Sequence, residues 1–248
     1  MDTTSGNYTC INCGGPVKDL YKKYSATVLK LTECEHCKNI ADKYLEYDTV
    51  IIIIDLILLR LIAYRHILLN SKFKNFWKLS IILLLLETYI HWSATVKHVP
   101  KETELNNTEP YLTEPDIYLE DIKFYLLGVD MIMCTICFVV VIYLFTIIYT
   151  FLKKRAGIPF LMICKMVTIS STGLFLFLPS LIWDTSVHNF HLHFISIYTT
   201  LSQLLAYKAL CNCEKVWTLI IIMSSILTKL YIRNFFNTAA FVKDFIPD

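Results

Sequence analysis

Apolar segments long enough to cross a lipid bilayer occupy most of the chain after residue 70. A bilayer core needs roughly 20 mostly apolar residues in a helix. Four segments meet that requirement, at about 78–96, 125–151, 158–182 and 194–211. A fifth, at about 216–233, carries Lys229 and Arg233 near its end, where long side chains are expected to reach the membrane interface. The sequence therefore predicts an all-α polytopic membrane body with four to five spans over residues 71–248.

Composition supports the membrane setting and separates a small head from that body. Hydrophobic residues make up 55% of the 248 residues and charged residues 18%, whereas charged residues in a soluble protein approach about a quarter. The first 48 residues are polar and contain no apolar stretch typical of a signal peptide. No Lys/Arg-rich stripe is interleaved with aromatic residues, so we expect no nucleic acid partner.

The segment 49–69 is long enough to span but carries Asp55, Arg60 and Arg65. Its roughly 14 Val, Ile and Leu residues favour insertion by about 0.3–0.6 kcal/mol each. Each central charge costs about 2.5–3.5 kcal/mol, so the sum is near zero. In a continuous helix, Asp55 and Arg60 would lie about 140° apart and could not neutralise each other.

Loop charge decides how this segment is interpreted. Basic clusters occur at residues 72–78, 153–155 and 208–215, and an acidic loop occurs near 97–121. Cytosolic flanks carry the Lys/Arg excess. All three basic clusters are cytosolic if 78–96 is the first span and the head is also cytosolic. We therefore predict that 49–69 is an interfacial or re-entrant helix on the cytosolic side.

Four cysteines in the head have the spacing of a metal site. Cys10 and Cys13 form one C-x-x-C pair, and Cys34 and Cys37 form a second pair about 20 residues later. This spacing is typical of a structural zinc site, because each short turn directs two sulfurs at one ion. Zinc would supply about 10 kcal/mol or more to a head too small to fold by its own core. The sequence predicts a β-rich zinc ribbon over residues 1–48 with these four cysteines as ligands.

Disulfides and redox-active thiols are the alternatives to zinc. The predicted lumenal loops contain no cysteine, whereas the head contains four, which fits thiolate ligands in a reducing compartment. No βαβ pattern surrounds the pairs, which argues against thioredoxin-like chemistry. Four protein ligands leave no open position on the ion, so the zinc would be structural.

Residues 10–70 resemble the Arv family of endoplasmic-reticulum lipid-homeostasis proteins. The matching pieces, in order, are Cys10–Cys13, Leu20–Tyr24, Leu29–Cys37, Asp42–Asp48 and Ala63–Asn70. The resemblance covers about a quarter of the chain, and the later segments agree with the family only in being hydrophobic. Residues 49–70 would complete the Arv homology region.

The resemblance implies a role in sterol homeostasis and in the distribution of sterols and other lipids among membranes, with effects on sphingolipid metabolism. It also implies residence in the endoplasmic reticulum membrane. Partners would be membrane lipids, including sterols, sphingolipids or glycolipid precursors, and other proteins of that membrane. A second implied function is a scaffold that acts through such partners, for example in handling glycosylphosphatidylinositol precursors.

Residues of the homology region are also candidates for contact with lipid headgroups. If 49–69 lies along the membrane surface, Arg60 and Arg65 could bind anionic headgroups, and we include Tyr64 and His66 as motif neighbours. The alternative is a structural collar that packs the ribbon against the spans. The sequence does not choose between these two roles.

Polar residues within the predicted spans are few. Glu87, Asp130 and Lys165 are ionisable, and Glu87 shares a helix face with His91. Hydroxyl-bearing stretches at 170–172 and 199–202 could line a lipid cavity or serve helix packing, which we favour. No nucleophile elbow or phosphate loop is present, so we expect no enzyme. A cavity among the spans would favour direct lipid handling, and a compact bundle would favour a scaffold.

Overall fold

A small β region forms the head, as predicted. The computed structural model describes residues 8–23, 29–71, 73–96, 114–179 and 189–238. Strand β1 (Tyr8–Thr9) pairs antiparallel with β2 (Pro16–Val17), and β3 (Tyr21–Lys23) pairs antiparallel with β4 (Leu29–Leu31). A 3₁₀ turn over Lys43–Leu45 then leads towards the helices. Strands of two or three residues bury little apolar surface, so the head needs a further source of stability.

The segment after the head is two short helices, which corrects the expectation of one continuous helix. Helix α1 (Thr49–Ile57) ends in a Schellman motif, and α2 (Leu61–Arg65) continues into a π-helical turn over His66–Asn70. Leu59 is in the left-handed region (φ 56°), and the Arg60 amide donates to the Asp55 carbonyl at 3.0 Å. Nine residues of α1 rise about 14 Å, less than half of a bilayer core.

The break between α1 and α2 at Leu59 also corrects the expected angular separation of Asp55 and Arg60. The Arg60 Nη1 atom lies 3.2 Å from Asp55 Oδ1. The 140° separation applies only to an unbroken helix, and here the helix ends between the two residues. That this segment lies along the membrane surface stays a prediction.

In the part of the body that the structure describes, there are five longer helices. They are α3 (Phe76–Val96), α4 (Glu114–Leu152), α5 (Phe160–Ser170, extended by a 3₁₀ turn over Ser171–Phe177), α6 (Asn189–Cys211) and α7 (Lys215–Thr238). Helix α4 starts within the predicted acidic loop, so residues 114–121 of that loop are helical. The rest of the loop, residues 97–113, lies outside the described residues.

Three helices of the described chain are long and apolar enough to cross a membrane. These are Asp121–Leu152, Phe160–Phe177 and Lys215–Phe235. Helices α3 and α6 cover the other two predicted spans but contain more polar residues, among them Glu87 and Gln203. The predicted count of four to five spans is therefore not confirmed. Large apolar side chains on α4 are exposed, including Ile132, Ile136 and Leu144, as expected for a lipid-facing surface.

The main core joins the short helices to the body. Tyr64 and Leu68, from the segment after α1, are buried in one cluster with Ile142 of α4, Met166 of α5 and Tyr207 of α6. Buried residues of α2, the π-helical turn, α4, α5, α6 and α7 meet here, so the segment 49–70 is packed into the helical bundle. The head and the predicted basic clusters at 153–155 and 208–215 lie at the same end of the bundle, because Arg65 contacts Asn212 and Arg155 contacts the Cys211 carbonyl.

The 3₁₀ turn after α5 is explained by close helix packing. The hydroxyls of Ser171 and Thr172 donate to backbone carbonyls one turn earlier. A Cβ atom on Gly173 would lie 2.6 Å from the Tyr198 ring of α6. Only glycine permits this approach, so the stretch 170–173 serves helix packing, the role that we favoured from the sequence.

Candidate functional site

The four predicted cysteine ligands converge on one point in the head. Their sulfur atoms all lie within 4.8 Å of one another. The Cys10–Cys37 sulfur distance is 3.8 Å and the Cys13–Cys34 distance is 3.7 Å. A tetrahedron with metal–sulfur bonds of about 2.3 Å has edges of about 3.8 Å, whereas a disulfide bond is about 2.0 Å long. The arrangement therefore fits a tetrahedrally coordinated metal ion.

The two cysteine turns have the same backbone construction. The amide of Cys10 donates to the Gly15 carbonyl, and the amide of Cys34 donates to the equivalent Asn39 carbonyl, each at 2.8 Å. The residue after each C-x-x-C pair has a left-handed backbone, with φ 78° at Gly14 and 59° at Lys38. Glycine adopts this conformation at little cost. The second turn forces a lysine into the same strained conformation.

The environment of the thiols is uneven. Burial raises the pKa of Cys10 to about 12. Burial acts in the same direction on Cys34, but hydrogen bonds from the backbone amides of Cys37 and His36 and from the thiols of Cys13 and Cys10 together lower the pKa of Cys34 to about 7. Thiolate is the form that binds metal, and the amide donors that stabilise it at Cys34 are supplied by the turn itself.

Arg65 clamps the first cysteine turn to the helical body. Its Nη1 donates to the carbonyls of Ile11 and Asn12, at 3.0 and 2.6 Å, and its Nη2 donates to Asn212 Oδ1 at 3.0 Å. Asn212 lies between α6 and α7. Arg65 is only 4% exposed, and burial lowers the pKa of its guanidinium. One side chain thus joins three parts of the chain that are distant in sequence.

Asp42 organises a second link between the head and the helices. Its Oδ2 lies 2.7 Å from His66 Nδ1 and accepts from Asn70 Nδ2 at 2.7 Å. Asn70 also exchanges two hydrogen bonds with the backbone of Thr9 in β1. Asp42 is fully buried, so its carboxyl oxygens need these partners in place of water. Residues from separate pieces of the homology region therefore contact one another, from the head to the π-helical turn.

Tyr44 connects the 3₁₀ turn to α1. Its hydroxyl donates to Asp55 Oδ2 at 2.6 Å, and burial together with this carboxylate raises the pKa of Tyr44. Asp55 is thus held between Tyr44 and Arg60. An acidic residue that counted against membrane insertion in the sequence is here a buried acceptor in the junction below the head.

These contacts divide the four residues predicted to bind headgroups into three that are buried and one that is exposed. Tyr64 is 1% exposed and its hydroxyl lies 2.7 Å from Ser202 Oγ, while Arg65 and His66 are buried and bonded to protein groups. Their geometry favours the collar over the headgroup role. Arg60, with a side chain 53% exposed, retains donors that could reach lipid.

A cavity of about 220 Å³ lies among α3, α4, α6 and α7 and next to the 3₁₀ turn. Glu87 and His91 line it from α3, and Lys229 and Arg233 line it from α7. Lys229 donates to Glu87 Oε1 at 2.6 Å, and Arg233 lies 3.0 Å from His91 Nδ1. Thr199 and Thr200 of the second hydroxyl stretch also line it, whereas Ser202 is directed to Tyr64.

Lys229 and Arg233, which the sequence predicted only to reach the membrane interface, line this cavity and contact side chains of α3. A sequence signal was present: Lys229 and Arg233 are four residues apart, as are Glu87 and His91, so each pair lies on one helix face. The other two ionisable residues that the sequence singled out in the spans hydrogen-bond to other groups of the protein. Asp130 accepts from the Cys134 thiol at 3.6 Å, and Lys165 donates to the Ser71 carbonyl at 3.2 Å.

Comparison with known proteins gives a consistent family match. The model of the Arv1-like family matches residues 9–207. "Protein ARV1" of Mus musculus is 30% identical over 93% of this chain and 84% of its own length, and "Protein ARV1" of Homo sapiens is 28% identical over 95% and 84%. "Protein ARV1" of Saccharomyces cerevisiae is 47% identical over 25% of this chain and 19% of its own length. No solved structure matches.

Proposed function

The chain belongs to the Arv1-like family, and we propose that it handles sterols and related lipids directly within the endoplasmic reticulum membrane. The head would face the cytosol, because it shares one end of the bundle with the basic clusters at 153–155 and 208–215. Effects on sphingolipid metabolism would follow from altered lipid distribution.

We further propose that the four cysteines hold a structural zinc ion. Four thiolates at tetrahedral separations suit zinc, and they leave no position for a substrate. The metal would fix the two cysteine turns, and the Arg65 clamp would transmit that order to α6 and α7. The expected role of the ion is therefore to hold the shape of the junction.

The cavity among the membrane helices is the observation that carries the proposal of direct handling. A bundle that serves only as a scaffold has no need to direct charged side chains into a cavity between its helices. This cavity is lined both by apolar side chains, such as Phe138 and Ile195, and by polar ones, such as Gln203 and Lys229. That combination suits an amphipathic ligand.

Lipid movement by the purified full-length protein in liposomes tests the proposal. Donor and acceptor vesicles would carry a fluorescent sterol or a fluorescent glycolipid, with the protein in one population. We expect the wild type to accelerate movement. Cys34→Ser should lose zinc and the acceleration, whereas Cys137→Ser, a cysteine of α4 outside the metal cluster, should retain both. No acceleration by a folded, zinc-containing wild type would refute direct handling.

A scaffold remains the second candidate, supported by exposed apolar side chains on the head. Tyr21 and Leu29, on the paired strands β3 and β4, are 46% and 48% exposed. Such residues could contact a membrane protein partner. Replacing both by serine should abolish co-purification of partners if the scaffold function is correct, and should leave liposome activity unchanged if lipid handling is direct.

A further inference from the structure

In the described part of the chain, the Arg233 guanidinium has no carboxylate within ion-pair distance, although Glu87 of α3 and Asp130 of α4 lie near enough to interact with it electrostatically. The Glu87 carboxylate neutralises Lys229 through the contact at 2.6 Å. Arg233 instead donates to the His91 imidazole, and because a guanidinium can only donate, the accepting ring nitrogen must carry a lone pair and the ring is neutral. The cavity wall formed by α3 and α7 therefore carries a net charge of about +1.

The position of Arg233 along α7 places this charge at the level of a headgroup. Lys215 starts α7 at the head end of the bundle, and Arg233 lies eighteen residues later in the same helix. At 1.5 Å per residue the separation is about 27 Å, close to the thickness of a hydrocarbon core of about 30 Å. The cavity therefore lies near the membrane surface opposite the head.

The opposite wall of the cavity supplies polar groups without charge. Ser196, Thr200 and Gln203 of α6 face it, together with apolar residues such as Leu192. The Thr200 hydroxyl donates to the Ser196 carbonyl at 2.8 Å and keeps lone pairs for accepting. These residues suit the ester and hydroxyl groups of a lipid backbone better than a bare inorganic anion.

Size and charge together select a class of ligand. A volume of about 220 Å³ is below the range of roughly 300–1,000 Å³ for sites that enclose a whole drug-sized molecule. It can hold a headgroup while the chains remain in the bilayer. A phosphate accepts two hydrogen bonds from a guanidinium and neutralises it. A sterol offers a single neutral hydroxyl and leaves the charge uncompensated.

We propose that this cavity binds the phosphate of an anionic glycerophospholipid from the leaflet opposite the head, with Arg233 as the principal ligand. Lys229 is a second donor, held in place by Glu87. The assignment rests on the proposed lipid-handling function and narrows its substrate class. It also gives the Arg233–His91 contact a function, because the imidazole orients the guanidinium and leaves its positive charge for the lipid.

Binding to the full-length protein in phosphatidylcholine nanodiscs tests the assignment. Phosphatidic acid, cholesterol or inorganic phosphate would be added in turn, and bound lipid would be measured by native mass spectrometry. We expect Arg233→Met to weaken phosphatidic acid binding at least about tenfold. Arg233→Lys should retain most of the binding. Lys215→Met, which removes an exposed charge at the other end of the same helix, should have no effect.

Three results would overturn the assignment: equal phosphatidic acid binding by wild type and Arg233→Met, preferential retention of cholesterol, or displacement of the lipid by inorganic phosphate at similar concentration. Zinc content and thermal unfolding of each variant establish that it is folded. The liposome assay separates the two proposals. Lipid movement without Arg233-dependent binding refutes only the substrate class, and Arg233-dependent binding without lipid movement refutes only direct handling.

Discussion

Replacing Arg65 by methionine should release the head from the helices without removing the metal. The guanidinium makes three hydrogen bonds, to the carbonyls of Ile11 and Asn12 and to the side chain of Asn212. Methionine keeps much of the side-chain volume but donates none of them. None of the four metal-binding sulfurs is lost.

The magnitude follows from the burial of these groups. A hydrogen bond from a charged donor contributes about 1.5–3 kcal/mol, and a buried acceptor left without a donor costs about 1–3 kcal/mol. Removing the desolvation cost of the buried guanidinium offsets part of this loss. We expect a net destabilisation of the head–helix junction of about 3–5 kcal/mol, as for other broken buried networks.

Limited proteolysis and thermal unfolding in detergent would measure this effect. Cleavage between the head and α1 should accelerate at least about a hundredfold in Arg65→Met, while the zinc content stays at one ion per chain. Arg60→Met is the matched control, because that side chain is 53% exposed and its ion pair should contribute less than about 1 kcal/mol. Equal cleavage rates in wild type and Arg65→Met would refute the clamp.

Three further predictions address the metal, the junction and the helix packing. Acidification should release zinc, because binding requires thiolates and protons compete for the four sulfurs; a chromophoric indicator should report retention at neutral pH and release as the pH falls towards 5. Tyr44→Phe should cost about 1–2 kcal/mol by leaving Asp55 one donor short. Because the folded pKa of Tyr44 is raised, its contribution is present below the usual pKa near 10 and lost at higher pH, so wild type and Tyr44→Phe should converge in an alkaline unfolding series. Gly173→Ala should lower the unfolding temperature, because the added methyl would lie 2.6 Å from the Tyr198 ring, whereas Gly157→Ala, which meets no atom within 4 Å, should not.

Local sequence patterns predicted the convergence of the four cysteines. Two C-x-x-C pairs need only a short turn each, and the spacing within a turn fixes where its sulfurs point. The four cysteines accordingly converge, and the β character of the head is confirmed. The strained conformation of Lys38 escaped prediction, because it is imposed by equivalence with the first turn and not by the preference of lysine.

The partners of the charged residues in the homology region and in the body could not be predicted from the sequence. Asp55 and Arg60 were treated as separate costs in one helix, yet the Schellman turn at Leu59 brings them to 3.2 Å. Lys229 was expected to reach the interface, and its pairing with Glu87, 142 positions earlier in the chain, was not predicted. Neither pairing has a local signature, because each depends on where the chain turns or on which helices become neighbours.

The sequence by itself determined the head, the apolar segments and the two C-x-x-C pairs whose four thiols cluster, since each follows from residues within about one turn or one helix of each other. Only the tertiary structure decided that the head is clamped to the bundle through Arg65, and that a cationic cavity forms between α3 and α7. The physical reason is that a buried polar group must find partners wherever packing supplies them. Those partners come from helices that meet only after the chain has folded.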